Sequence, residues 1–225
     1  MLRHVSNQEA IWEPGPGFYF LATDRPEGGD FQQTVVLDSA EIGAHINMAR
    51  HMYFAPGQFS KAQRRAEFAL GASVFFIDID CGVDKAAAGK GYLDQVGAKE
   101  ALTRFLADTG LPPPTHVVNS GGGLHLYWVL DTFLDKEHWL PHARALKGLT
   151  QHFGFRADPT KTADIACCLR LPGSFNHKYT PPRPVYLLEA SDALPAADFL
   201  MPLTEAHSAH CSPAFAEPTH ELAGC

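Results

Sequence analysis

The chain is short of the features that would set its class at once. No stretch is apolar for the roughly 18 residues that a membrane-spanning helix needs. The first ten residues, from Met1 to Ala10, hold no apolar segment of the signal-peptide kind. Cysteine is scarce: Cys81, Cys167, Cys168, Cys211 and Cys225 are an odd number without C-x-x-C spacing. That argues against a disulfide framework and against a zinc knuckle, and the expected setting is cytoplasmic. A positive balance is also missing. The net charge is −7 with His neutral, which disfavours a general nucleic-acid coat protein but leaves room for a local basic groove. No internal repeat is visible.

The composition that remains is globular. Apolar residues make up 45% and charged residues 19% of the 225, enough for one large domain or two small ones. Residues 17–23 and 31–37 read as strands, with a turn over 25–30. Residues 39–48 have mixed helical character, and 52–55 read as extended. Residues 61–70 are expected to form a helix whose Lys61, Arg64 and Arg65 make a solvated basic face. Residues 81–91 are small, polar and glycine-flanked, the pattern of a mobile loop. A helix is expected over 94–108, where Ala98, Ala101, Leu102, Phe105 and Leu106 recur at helical spacing. Gly110 and the prolines after Leu111 end it. Strands over 115–119 and 124–130 flank a glycine turn and should pair as a hairpin. An amphipathic helix follows over 136–153, with Gly154 as its candidate C-terminal cap. Residues 155–158 read as extended, and 160–171 as a turn or short helix around Asp164. A last strand is expected over 184–189 and a short helix over 196–200. From about Thr204 to residue 225 the pattern is that of a flexible tail.

The chemistry concentrates in three stretches. Val74-Phe-Phe-Ile-Asp-Ile-Asp80 reads as a buried strand ending in two carboxylates. Side chains alternate along a strand, so Asp78 and Asp80 share one face while Phe75, Ile77 and Ile79 face a core. Two neighbouring carboxylates are costly without a positive partner, and a divalent cation such as Mg²⁺ suits them. The bland alternative is a strand that runs into a solvated loop. Asn119-Ser-Gly-Gly-Gly-Leu-His125 is the second stretch. Gly121, Gly122 and Gly123 let backbone N–H groups approach phosphate oxygens, with Ser120 and His125 as donors at the lips of the turn. A plain glycine hairpin with a satisfied histidine is its alternative. The third stretch runs from Asp158 through Asp164 to Arg170, Asn176 and Lys178. Asp158 or Asp164 could complete a three-carboxylate set. Arg170 offers a planar fork for phosphate and Lys178 a point charge. Asn176 and His177 lie between them as polar contacts or a structural turn.

In order, spacing and residue type, the three stretches together resemble the archaeo-eukaryotic primase superfamily. In particular they look like the primase–polymerase domains of phages and mobile elements. The motifs that carry the resemblance are Asp78-Ile-Asp80, Ser120-Gly-Gly-Gly-Leu-His125, Asp158, and Arg170-Leu-Pro-Gly-Ser-Phe-Asn-His-Lys178. It covers residues 18–189. Cys167 departs from the pattern, because the family often carries an arginine there.

The resemblance implies an α+β fold. A primase–polymerase core, about residues 71–203, would hold a mixed or antiparallel sheet related to the RNA-recognition fold, with flanking helices. A small N-terminal α/β part, about residues 1–70, would stand beside it. The implied activity is template-directed nucleotidyl transfer, as a DNA primase or DNA polymerase. Asp78, Asp80 and a third acid would hold two Mg²⁺ or Mn²⁺ ions. Asp158 is favoured as that acid, because it ends an extended segment just before Pro159; Asp164 is structural support or the alternative ligand. Asp78, Asp80, Asp158 and His125 would be the catalytic set. Ser120, Gly121, Gly122, Gly123, His125, Arg170, Asn176 and Lys178 would bind the nucleoside triphosphate. The implied partners are a single-stranded DNA template, a primer and a replicative helicase domain or protein, with no membrane. Two other readings stay open: a metal-dependent nuclease or phosphohydrolase using the same carboxylates, and a non-catalytic replication-initiator module.

Overall fold

The computed structural model describes residues 11, 16–24, 31–37 and 41–211. Its centre is β5, Ala69–Asp80, apolar and buried on both faces for most of its length. Such a run suits a strand inside a sheet rather than at an edge. β5 pairs antiparallel with β7, Gly123–Asp135, on one side and with β4, Gln58–Phe59, on the other. β7 pairs with β6, His116–Asn119, and β6 with β11, Tyr186–Ala190. The order of this five-stranded antiparallel sheet is β11-β6-β7-β5-β4.

Helices cover the face that carries Phe75, Ile77 and Ile79. α4, Lys136–His152, stacks Trp139 on Phe75 at 5.6 Å, and the indole N–H donates to the Val74 carbonyl at 2.9 Å. α5, Ala196–His210, brings Phe199 to 5.0 Å from Phe75. α3, Gln95–Thr109, buries Ala98, Leu102 and Phe105. Local chemistry sets the ends of α3 and α4. Asp94 and Asp135 each accept a backbone N–H in the first turn at 2.9 Å, and Gly110 turns left-handed past α3.

The other face of the sheet meets a smaller one. It consists of β1, Tyr19–Thr23, β2, Gln32–Val36, β3, Met52–Phe54, and β8, Leu169–Arg170, in the order β2-β1-β3-β8. β8 comes from the far end of the chain, so the N-terminal sheet is completed by a late segment. Phe54 reaches Tyr127 at 6.1 Å, and Phe18 and Phe59 exchange backbone bonds of 2.8 and 3.1 Å between the sheets. One apolar core runs through both. A short ribbon of β9, Phe175–Asn176, and β10, Arg183–Pro184, lies beside the glycine turn. The architecture is α+β, as the resemblance implies.

Several local expectations change. Residues 61–70 do not form a helix: they make bends, one 3₁₀ turn over Ala66–Phe68, and the start of β5. Lys61 to Arg65 offer no apolar stripe to bury, and without packing a short helix has no support. Residues 81–91 are not a plain loop, because α2, Val83–Ala87, forms there and Tyr92 returns its N–H to the Asp80 carbonyl at 3.0 Å. The helix expected over 196–200 runs on to His210, through the start of the expected tail. Phe199, Leu203 and Ala206 are buried at helical spacing, which anchors it. Of the stretch 39–48, the described residues 41–48 hold a single α-helical turn, α1, Ile42–His45. The turn expected over 25–30 and the tail beyond Cys211 lie outside the described residues. No helix among the described residues is long and apolar enough to cross a membrane.

Candidate active site

Strand register brings the first two motifs together. β5 ends in Asp78 and Asp80, and β7 begins at the glycine turn, so Asp78 lies opposite His125 and Asp80 opposite Gly123. Only glycine allows that closeness: a Cβ on Gly123 would sit 1.9 Å from the Ile79 carbonyl oxygen. Gly121, at φ +76°, makes the turn itself. Its N–H donates to the Asn119 side chain at 2.8 Å. The turn, the strand end and the segment 158–178 enclose a cavity of about 730 Å³. Asp78, Asp80, Asp158, Asp164, Ser120, Gly122, His125, Arg170, Asn176 and Lys178 all reach its wall. Gly121 and Gly123 do not; they shape the turn behind it.

The carboxylates differ in surroundings. Asp78 is 21% exposed, and burial, then the Asp80 and Asp158 charges, push its carboxyl up to about 7. Its Oδ1 lies 3.6 Å from His125 Nε2. This is no ion pair, because burial, then Arg170 and Lys161, hold the imidazole neutral, down to about 3. His125 Nδ1 lies 3.1 Å from the Tyr127 hydroxyl. With that hydroxyl donating to Nδ1, the ring proton sits on Nε2, facing the cavity. Asp80 is more open and is paired with the Lys85 ammonium from α2. Asp158 joins the group through the backbone: its N–H donates to the Asp78 carbonyl at 2.8 Å. Its Oδ1 accepts from the Thr160 N–H and hydroxyl at 2.8 and 2.7 Å. Asp164 turns inward on its own loop and accepts the Ala166 N–H at 2.9 Å.

The cationic side is assembled from three parts of the chain. Pairing of β3 with β8 sets Tyr53 opposite Arg170. Arg170 then contacts His51 Nδ1 at 2.8 Å and lies 4.9 Å over the Tyr53 ring. Asn176 Nδ2 donates to the Ser120 carbonyl at 3.0 Å, and its Oδ1 accepts the Lys178 N–H at 3.1 Å. Its amide therefore ties the glycine turn to the Arg170–Lys178 segment. Arg64, Lys85, Lys161 and the exposed ring of Phe31 also line the cavity, and none was singled out for it by sequence. Arg64 is visible in the sequence as a basic residue, but its direction depends on a contact with Ala166, distant in the chain. Cys167 is buried, and that burial raises its thiol well above the usual range.

The donor set suits a divalent cation in chemistry more than in present geometry. Among the described residues, no group of three or more His, Cys, Asp or Glu side chains converges to hold a metal ion. Asp80 is turned to Lys85, and Asp158 is engaged by Thr160. Yet Asp78 sits among carboxylates that raise it, which is the situation a cation relieves. Mg²⁺ also needs no closed protein cage, since one or two carboxylates with water and substrate phosphates complete its shell.

No family model matches the chain, and no curated protein matches it. Solved structures do. The primase–polymerase domain of cyanophage S-2L superposes with a TM-score of 0.64 at 14% identity, over 90% of this chain and 96% of that one. The fold is that of the primase–polymerases. Primase RepB′ matches with a TM-score of 0.55 at 16% identity, over 92% of this chain and 62% of that longer one. The RepB′ catalytic domain, solved with initiator DNA, matches at 0.52 and 15%, over 91% of this chain and 92% of the domain. Most of this chain thus follows one architecture, at identities where only the fold carries across.

Proposed function

We propose that this chain is a template-directed nucleotidyltransferase, a DNA primase or polymerase that adds nucleotides to a 3′-OH on single-stranded DNA. One observation carries the reading. The same cavity holds a carboxylate group short of positive charge and several cations short of negative charge. Among the described residues, Arg64, Lys161, Arg170 and Lys178 have no carboxylate within ion-pair distance. A metal-bound nucleoside triphosphate completes both groups at once.

In this reading Asp78, Asp80 and Asp158 hold the metal side. Bound there, two Mg²⁺ or Mn²⁺ ions would supply the charge that lowers the pKa of the attacking 3′-OH and neutralises the triphosphate. Arg170, held over the Tyr53 ring, presents its guanidinium to phosphate oxygens. Ser120 and the Nε2–H of neutral His125 donate from the sheet side, and Lys178 adds a point charge. The Asn176 amide keeps these two sides in register. Asp164 holds its loop in shape.

The test is incubation with single-stranded template, labelled nucleotides and Mg²⁺ or Mn²⁺, with and without primer. Template-dependent product supports the reading. Degradation of nucleic acid without synthesis would replace it with a metal-dependent nuclease. Binding of DNA with neither reaction would replace it with an initiator module.

A further inference from the structure

Tyr179 follows Lys178 in the chain and lines the same cavity, although no motif of the sequence points to it. Its ring is clamped from one side. The Arg183 guanidinium lies over it, 3.7 Å from the ring centre. Arg183 is itself fixed, because the β9–β10 pairing sets it opposite Asn176 and its Nη1 donates to the Gly121 carbonyl at 3.3 Å. The clamp carries the Tyr179 hydroxyl onto the glycine turn. A Cβ on Gly122 would lie 2.6 Å from that hydroxyl oxygen, and its three nearest atoms would all belong to Tyr179. Gly122 is not among the glycines with positive φ. The nearness of Tyr179, not the backbone, therefore calls for glycine at this point of the turn. The hydroxyl has no hydrogen-bond partner among the described residues, and the side chain is half-buried, open to the cavity.

We propose that the Tyr179 hydroxyl donates to a phosphate oxygen of the nucleoside triphosphate, at the glycine turn. The inference rests on the nucleotide reading above. A glycine turn lets a phosphate come close to the backbone. Gly122 and the Tyr179 hydroxyl share one stretch of the cavity wall, so a phosphate set against Gly122 meets both. A hydroxyl that donates to an ionised oxygen makes a stronger bond than one between neutral groups. The ring already held by Arg183 has little freedom left to lose when the ligand binds.

The test uses the full chain with Mg²⁺ and no template. Calorimetry measures affinity for deoxyadenosine triphosphate and for the dideoxy triphosphates of adenosine and cytidine. The dideoxy ligands lack sugar hydroxyls and differ in base, so the triphosphate is the strong acceptor common to all three. Tyr179→Phe keeps the ring under Arg183 and removes only the hydroxyl. It should weaken all three ligands alike, about tenfold, the size of one lost bond to a charged group. Its melting temperature should match that of the parent, since the hydroxyl holds no other part of the protein. Binding or loss confined to the ligand with a 3′-hydroxyl, or to one base, would put the contact on sugar or base and overturn the inference. A fall in melting temperature along with the loss would make the hydroxyl a structural group and also overturn it. Unchanged nucleotide affinity, with or without weaker binding of single-stranded DNA, would overturn it and leave the nucleotide reading intact. A parent protein that binds no triphosphate with Mg²⁺ would overturn the nucleotide reading, and the inference with it.

Discussion

The two sides of the cavity are held by different means. On the β5–β7 side, Asp78, Asp80 and His125 are placed by an antiparallel register, and Ser120 by the turn that closes the β6–β7 hairpin. On the other side, a two-residue strand pairing and isolated contacts place the groups. Arg170 leans on His51 and Tyr53, Arg64 on the Ala166 carbonyl, and Asp158 on the Asp78 carbonyl. Register is cooperative, because moving one residue moves every side chain of the strand. A single side-chain contact can be lost without that resistance. Substitutions on the first side should therefore change chemistry with little change in structure. On the second side the two should change together wherever the side chain itself makes the holding contact, as for Arg170; Asp158 hangs by its backbone N–H, which a side-chain substitution keeps.

The largest effect is expected where that contrast is sharpest. Asp78→Ala and Asp80→Ala should each reduce template-dependent synthesis by at least about a hundredfold, as loss of a metal-binding carboxylate does. Far-UV circular dichroism should stay unchanged. Near-normal synthesis in either variant would remove the β5 side from the chemistry.

Next comes Arg170. Arg170→Ala should weaken nucleotide binding about tenfold and also lower the melting temperature, because it withdraws support from the β3–β8 pair. Arg170→Lys keeps the charge but loses the planar guanidinium that lies over Tyr53, and should recover only part. Loss of affinity with no thermal change would place Arg170 in the same class as the β5 side.

A smaller effect concerns pH in the metal-free protein. The unfolded chain gives up the Asp78 proton in the ordinary carboxylate range, while the folded chain keeps it up to about 7. Below the ordinary range both states are protonated and the folded state is at no disadvantage. As pH rises to about 7, folding requires proton uptake and stability falls; above that value the loss levels off. Asp78→Asn should remove this fall, a difference on the order of 2 kcal/mol at neutral pH. Mg²⁺ should reduce it in the parent protein. Denaturant titrations at pH 5 and pH 8, with parallel slopes for parent and variant, would show that Asp78 is not the group responsible.

The smallest thermal effect separates the two candidate third acids. Asp164→Asn should weaken the bond to the Ala166 N–H, costing about 1 kcal/mol and a few degrees of melting temperature, with synthesis only partly reduced. Asp158→Asn should lose metal-dependent nucleotide binding with little thermal change. The reverse pattern would make Asp164 the ligand and Asp158 the support.

The site was legible where it depends on neighbours in sequence. Alternation in 74–80 put both carboxylates on one face, and glycines 121–123 marked the turn that presses against β5. The helix that Asp94 caps and Gly110 ends was equally plain. Residues 61–70 misled because their basic cluster resembles an exposed helix face, whereas strand β5 claims their end. Lys85 left no signal, since only the turn after Asp80 brings its ammonium back onto that carboxylate.

By itself, then, the sequence determined the β5 strand with its paired acids, the β6–β7 hairpin and the ends of α3 and α4. Each rests on a period or a cap spanning a few residues, where backbone geometry leaves few choices. Tertiary structure alone decided that β8 completes the N-terminal sheet, that Arg170 lies on Tyr53, that Asp158 hangs from the Asp78 carbonyl, and that Arg64 turns inward. These contacts join residues far apart in the chain. They form only once the two sheets pack on a common core, and no local pattern encodes which distant partner that packing will bring.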